Sequence, residues 1–320
     1  MAQASTSVDV EVEGRSLKLS NLDKVLWPGT GFTKGQVIDY YTRVAPALLP
    51  HMQERPLTLK RYPNGVDAAF FYEKQCPSHR PPWVAVAPLW ASGRGRWGAA
   101  PKAGKGEKII EYCLCNDLPT LVWVANLASL ELHTSLSLAS RIEQPTMVVF
   151  DLDPGPPAGV VECARVALLV RDVLDHLGLQ SVIKTSGSKG LQLYVPLNHD
   201  DVTYEQTKPF SQAIAHLVEH EHPELVVSVQ DKSKRPGKVL IDWLQNEATK
   251  TTVCVYSLRA RERPTVSTPL EWDEVEAAAD RGDADLLVFE ADDVVKRVES
   301  RGDLFSAAVE LEQALPKPPG

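Results

Sequence analysis

Two short apolar runs organise the middle of the chain: Thr146-Met-Val-Val-Phe150, closed by Asp151-Leu-Asp153-Pro-Gly155, and Val239-Leu-Ile241, followed by Asp242-Trp243. Bulky and β-branched runs of this length, ended by Pro-Gly or a polar residue, predict strands buried in a sheet. Two further runs, Val182-Ile-Lys184 and Leu191 to Pro196, flank a polar segment, Thr185-Ser-Gly-Ser-Lys-Gly190. A 3.6-residue period governs other stretches. Ile38, Tyr41, Val44 and Leu48 follow Thr33 and Gln36, whose spacing is that of a capping box, and predict a helix. Helices are also predicted from Pro119 to about Leu132 and from Ala158 to Leu177, which puts His133 at the end of an apolar helix. The alternation of strand and helix predicts an α/β fold with mixed sheets flanked by helices. The segment 91–107, rich in Gly, Ala and basic residues, is expected to be a mobile loop, and LPKPPG at 315–320 a disordered end. No internal repeat and no linker between independent domains is evident.

Strand alternation sends Asp151 and Asp153 out on one face. Carboxylates at such a position are costly unless a cation compensates them. If the 239–242 strand lies beside the first, Asp242 completes a cluster of three hard oxygen donors, the set that suits a pair of Mg²⁺ or Mn²⁺ ions in phosphoryl transfer. D-x-D also opens phosphatases of the haloacid-dehalogenase type and serves metal-dependent glycosyltransferases. Pro154-Gly155 is wrong for the former, and a third aspartate on a neighbouring strand is not needed by the latter. The 185–190 segment offers glycines, two serines and Lys189 to a phosphate, but it lacks P-loop spacing and a strand follows it, so a polar hairpin turn is an equal reading. Lys34, in the first turn of its helix, could share a phosphate with free backbone N–H groups. Phe70, Phe71 and Tyr72, near Lys60 and Arg61, are either core residues or a stacking surface for a base.

Composition adds three points. No apolar stretch approaches the twenty residues of a membrane span and the start lacks a secretory pattern, so a soluble, cytoplasmic protein is expected. Five scattered cysteines predict reduced thiols; Cys113-Leu-Cys115 with Cys76 and His79 has the wrong spacing for a zinc knuckle. The net charge of −8 is unevenly distributed: residues 1–110 hold 15 Lys and Arg against 9 Asp and Glu, whereas 261–320 hold 7 against 15. The front third is therefore the part expected to face a polyanion.

Taken together, NLDKVLWP at 21–28, TKGQVIDYY at 33–41, LKRYPNGVD at 59–67, FDLDPG at 150–155, TSGSKGLQLY at 185–194, KVLIDWLQN at 238–246 and KTTVCVYSLRAR at 250–261 closely resemble the polymerase domain of bacterial ligase D. That family belongs to the archaeo-eukaryotic primase superfamily. The resemblance covers roughly residues 14–305. It implies a primase-type catalytic core over 1–305, with the metal site within 133–245, a disordered tail over 306–320, and no residues left for a ligase or nuclease module. It implies a template-dependent DNA repair polymerase that adds NTPs or dNTPs to primer 3′ ends at gaps or double-strand breaks. Asp151, Asp153 and Asp242 would hold two divalent metal ions, Mn²⁺ or Mg²⁺. Lys60, His133, Ser186, Lys189, Gly190, Arg235 and Arg259 would meet the incoming triphosphate, with Gln245 assisting and Phe71 or Tyr72 as aromatic platform. Lys24 and Lys34 would form a pocket for the DNA 5′-phosphate. A DNA ligase and a DNA end-binding protein are the implied partners. Against this stand a primase that starts chains de novo and a catalytically silent DNA end-binding module, which would have no use for three clustered acids.

Overall fold

A computed structural model describes residues 7–91 and 108–316; the expected basic loop, with Arg94, Arg96, Lys102 and Lys105, lies outside them. Two six-stranded sheets carry the fold. The first runs Val226–Val227, Val239–Asp242, Met147–Pro154, Leu191–Pro196, Val182–Thr185 and Pro269–Leu270, antiparallel except for its parallel first pair. The helices Val160–His176, Tyr204–Glu221 and Trp272–Arg281 cover one of its faces. Val148, Phe150 and Leu152 are buried with Cys163, Ala164 and Ala167 of the first helix, so Asp151 and Asp153 leave on the opposite face, which they share with Val149 of the other core, as their alternation predicts.

The second sheet runs Thr252–Val253, Ser129–Thr134, Pro56–Arg61, Lys108–Leu114 and Val86–Ala91, with Phe71–Glu73 paired to the far half of Pro56–Arg61. The helix Lys34–Leu48 packs here, and Tyr41, Val44 and Leu48 are fully buried. Its capping box is present: the Gln36 backbone N–H donates to Thr33 Oγ1 at 3.3 Å, and the Thr33 N–H to Gln36 Oε1 at 2.8 Å. The third expected helix is found over Val160–His176, two residues shorter at its start.

Three expectations are corrected. The second helix ends early, at Leu118–Asn126; Ala128 takes a φ of +57° and the chain turns into the strand Ser129–Thr134. His133 is therefore a strand residue, and its own sequence carried the period of two that marks a strand: Leu130 and Leu132 enter the core while Glu131 and His133 leave on the other face. The five thiols are not all free, because Cys76 and Cys113 form a disulfide, leaving Cys115, Cys163 and Cys254 buried and unpaired. The segment 306–316 is tied down. Ala307–Glu310 is a helical turn, Asn198 Nδ2 donates to the Leu311 carbonyl at 2.8 Å, and Gln313 Nε2 donates to the Pro196 and Gln180 carbonyls at 2.9 and 3.0 Å. Among the described residues no helix is long and apolar enough to cross a membrane.

Candidate active site

Register brings the acids together. Asp151 and Asp242 are direct Cα partners across antiparallel strands, and Asp153 follows two residues on, opposite Leu240. Two glycines permit this packing. A Cβ on Gly190 would stand 1.9 Å from the Leu152 carbonyl oxygen, and one on Gly155 would stand 2.1 Å from that of Arg235. Only glycine lets the 185–190 hairpin and the 230–238 segment approach the acid-bearing strand so closely.

The resulting cleft, of about 530 Å³, is lined by ten of the site residues expected from sequence: Asp151, Asp153, Asp242, His133, Ser186, Lys189, Gly190, Arg235, Gln245 and Arg259. The 185–190 segment is a hairpin turn as well as a cleft wall. Ser186 Oγ accepts from the N–H groups of Ser188 and Gly190 at 3.2 and 3.1 Å. Those two amides are therefore committed within the turn, and the side chains of Ser188 and Lys189 line the cleft.

Each acid has protein donors. Gln192 Nε2 donates to Asp151 Oδ1 at 3.1 Å, Gln230 Nε2 and Gln245 Nε2 donate to the two oxygens of Asp242 at 2.9 and 3.0 Å, and Arg235 Nη1 lies 3.4 Å from Asp153 Oδ2. With the side chains so turned, no group of three Asp, Glu, His or Cys residues among those described is arranged to hold a metal ion. The chemistry of the donor set nevertheless fits one. Burial, together with repulsion from Asp242 and Asp153, pushes the Asp151 carboxyl up to about 6, against the Gln192 hydrogen bond that opposes it. The positive charge of Lys184 compensates this carboxylate only in part, and a divalent cation held by Asp151, Asp153 and Asp242 would supply the rest. Behind Gln192 stands a buried lysine, Lys184, whose Nζ donates to Gln192 Oε1 at 2.5 Å and to Ser267 Oγ at 2.7 Å. Both Lys184 and the Tyr194 hydroxyl donate to Oε1, which leaves the amide N–H₂ to face Asp151.

Strand pairing separates the remaining expected residues. Lys60 faces Tyr72 and Arg61 faces Phe71 across the pair, so alternation puts Lys60 and Tyr72 on one face and Arg61 and Phe71 on the other. Tyr72 stands 6.1 Å from the His133 ring, beside the cleft, whereas Phe71 lies under the Arg61 guanidinium at 5.2 Å. Of the two candidate platforms, Tyr72 is the one beside the cleft that His133 lines.

Lys24 and Lys34 line a second cavity, of about 580 Å³, with Arg61, Asn64, His79 and Asn126. Burial pushes the Lys34 ammonium down to about 8, with repulsion from Lys24 and Arg61 adding to it. Its Nζ donates to the Ser20 carbonyl at 2.6 Å, and Lys24 Nζ to Asn64 Oδ1 at 3.1 Å. The expected contribution of free helix N–H groups is corrected: those of Lys34, Gly35 and Gln36 donate to Lys24 O, Leu22 O and Thr33 Oγ1. Side chains, not the helix terminus, give this pocket its positive character. Glu131, Gln192, Gln230 and Lys184 were missed from sequence, since an isolated polar residue in a strand, or in the loop that holds Gln230, has no spacing signal until its neighbours are known.

A mixed α/β core thus presents three acids in a cleft that Lys189, Arg235 and Arg259 also line. The chain belongs to the LigD primase-polymerase domain family, whose profile matches residues 33–305. It is similar to the multifunctional non-homologous end joining protein LigD of Mycolicibacterium smegmatis, 39% identical over 292 residues, which are 91% of this chain and 36% of that protein. The bifunctional non-homologous end joining protein LigD of Bacillus subtilis is 32% identical over 290 residues, 90% of this chain and 43% of that protein. The chain thus spans less than half the length of these relatives. Among solved structures, the polymerase domain from Mycobacterium tuberculosis ligase D in complex with DNA matches with a TM-score of 0.80 and 36% identity, over 93% of this chain and 99% of that one.

Proposed function

We propose that this chain is a template-dependent DNA repair polymerase that adds NTPs or dNTPs to a primer 3′ end at gaps or breaks carrying a 5′-phosphate. The observation that carries this reading is the pairing of Asp151 with Asp242, beside Asp153, in a cleft whose other walls are Ser186, Lys189, Arg235 and Arg259. Acids on one wall and cations on the other suit a triphosphate whose charge is shared between metal ions and side chains. When bound, two Mn²⁺ or Mg²⁺ ions would activate the primer hydroxyl and neutralise the leaving pyrophosphate. Asp151, Asp153 and Asp242 would hold them; Lys189, Arg235 and Arg259 bind and orient the triphosphate; Tyr72 offers a face to the base; Gln245 and Gln230 orient Asp242. The separate pocket of Lys24 and Lys34 takes the 5′-phosphate across the gap. The relatives named for end joining support a ligase and an end-binding protein as partners.

The test is extension of a labelled primer across a one-nucleotide gap with each NTP and dNTP, with Mn²⁺ or Mg²⁺. Templated addition is expected. A protein that binds the gapped duplex without extending it is an end-binding module, and one that makes products with no primer present is a primase.

A further inference from the structure

Lys60, His133 and Arg259 converge on one buried carboxylate that the proposed chemistry does not use. Glu131 is 1% exposed. Its Oε1 accepts from Lys60 Nζ at 3.1 Å, from the Ala260 backbone N–H at 3.2 Å and from the Tyr62 hydroxyl at 3.4 Å. Its Oε2 lies 3.2 Å from His133 Nε2 and 3.4 Å from Arg259 Nε, the last an ion-pair distance without hydrogen-bond geometry. The arrangement follows from register, since Lys60 and Glu131 are cross-strand partners and Thr58 faces His133. Lys60 is held from its other sides as well. Its ammonium lies 4.4 Å from the Phe70 ring centroid, 5.3 Å from Tyr62 and 5.6 Å from Tyr72, three aromatic faces closed off by Glu131.

We propose that Glu131 is a positioning residue for nucleotide binding, holding Lys60, His133 and Arg259 in a fixed fan whose remaining donors meet the triphosphate. The inference rests on the nucleotide reading above and deepens it. Two fixed cations and an imidazole packed this closely repel or splay one another when nothing joins them, and a triphosphate would have to order them as it binds. A carboxylate at the hub removes that cost in advance. It reaches the substrate only through its neighbours. Glu131 also subtracts one positive charge from the site, so a residue acting only as counter-charge would weaken nucleotide binding, and its removal would strengthen it. The two roles therefore predict opposite signs.

The experiment measures the dissociation constants of ATP and AMP for the whole chain in Mn²⁺, with melting temperatures as a check on folding, for wild type, Glu131→Gln, Glu131→Asp and Lys60→Ala, alone and combined with Glu131→Gln. Positioning predicts that Glu131→Gln weakens ATP binding roughly 10-fold or more while AMP changes little. Glu131→Asp, which keeps the charge but withdraws it by one methylene, should also weaken ATP, and is the variant that decides if Glu131→Gln does not fold. In the Lys60→Ala background Glu131→Gln should cost clearly less, because the part of its effect carried by Lys60 is already lost, the rest passing through His133 and Arg259. Unchanged or tighter ATP binding by Glu131→Gln, near-wild-type binding by Glu131→Asp, or an undiminished cost in the Lys60→Ala background would overturn the proposal. Wild type that binds no ATP would instead refute the nucleotide reading, and Glu131's role with it.

Discussion

Asp151 and Asp242 stand directly opposite one another on neighbouring antiparallel strands, with Gln192 donating to the first and Gln230 and Gln245 to the second. Two carboxylates placed side by side on a sheet are a standing liability, which neutral amides relieve only in part. Their cost to the fold is one that a bound cation would relieve.

That cost can be measured. The Asp151 carboxyl titrates at about 6 in the folded chain against 3.8 as its ordinary value, so the folded state holds the proton more tightly than the unfolded one. Metal-free stability should then fall as pH rises from about 4 to 6 and stay low above it. Asp151→Asn removes the charge without removing bulk and should stabilise the metal-free protein at pH 7 by on the order of 1–3 kcal/mol. Thermal melts in chelator should show the variant melting higher. Added Mn²⁺ should raise the wild-type melting temperature and leave that of the variant nearly unchanged; an equal response would remove Asp151 from the metal site.

A second titration belongs to the other pocket. Lys34 loses its proton at about 8 in the free protein, chiefly through burial. At pH 7 a gapped duplex with a 5′-phosphate should bind about 10 to 100 times tighter than one ending in hydroxyl. Above pH 8 the unbound lysine is increasingly neutral, so the preference should shrink towards pH 9.5, well before an ordinary lysine titrates. Lys24→Ala with Lys34→Met should abolish the preference and its pH dependence while keeping extension of a simple primer-template. Equal wild-type affinities for the two ends would leave the pocket without this role.

Much of this site was legible from strand alternation. Asp-x-Asp at the end of an apolar run places both acids on one face whatever the tertiary fold, and the capping pair Thr33 and Gln36 located its helix to the residue. The helix expected to reach Leu132 ends at Asn126 because the chain turns at Ala128 and the alternation of Leu130 and Leu132 with Glu131 and His133 takes over from the helical period, a switch that the apolar residues on both sides of it obscured. The disulfide was hidden for a different reason, since Cys76, in the loop after Phe71–Glu73, meets Cys113 of the Lys108–Leu114 strand only in the folded chain. Glu131 and Lys184 were invisible because a buried charge is recognised by its partners, and those come from strands distant in sequence.

The disulfide makes a simple prediction. The denatured, unreduced protein should expose three thiols to a colorimetric reagent, those of Cys115, Cys163 and Cys254, and five after reduction. Five without reductant would show that the bridge does not form under the conditions of purification.

Gly190 tests the packing that sets the cleft. With its Cβ position 1.9 Å from the Leu152 carbonyl, Gly190→Ala must displace either the hairpin or the strand bearing Asp151 and Asp153. Denaturant unfolding should show a loss of at least about 2 kcal/mol, with nucleotide addition falling further than stability alone explains. Gly178→Ala meets nothing within 4 Å and serves as the control, with only the backbone strain of its φ of +71°.

The most direct measurement is single-turnover extension of a 5′-phosphorylated one-nucleotide gap by wild type, Asp151→Asn and Asp242→Asn in Mn²⁺, with DNA affinity measured on the same samples. The account predicts templated addition by wild type, a fall of at least about 1,000-fold in both variants, and DNA affinities within about threefold of one another. Substantial addition by either variant, or none by wild type on a duplex it binds, would contradict it.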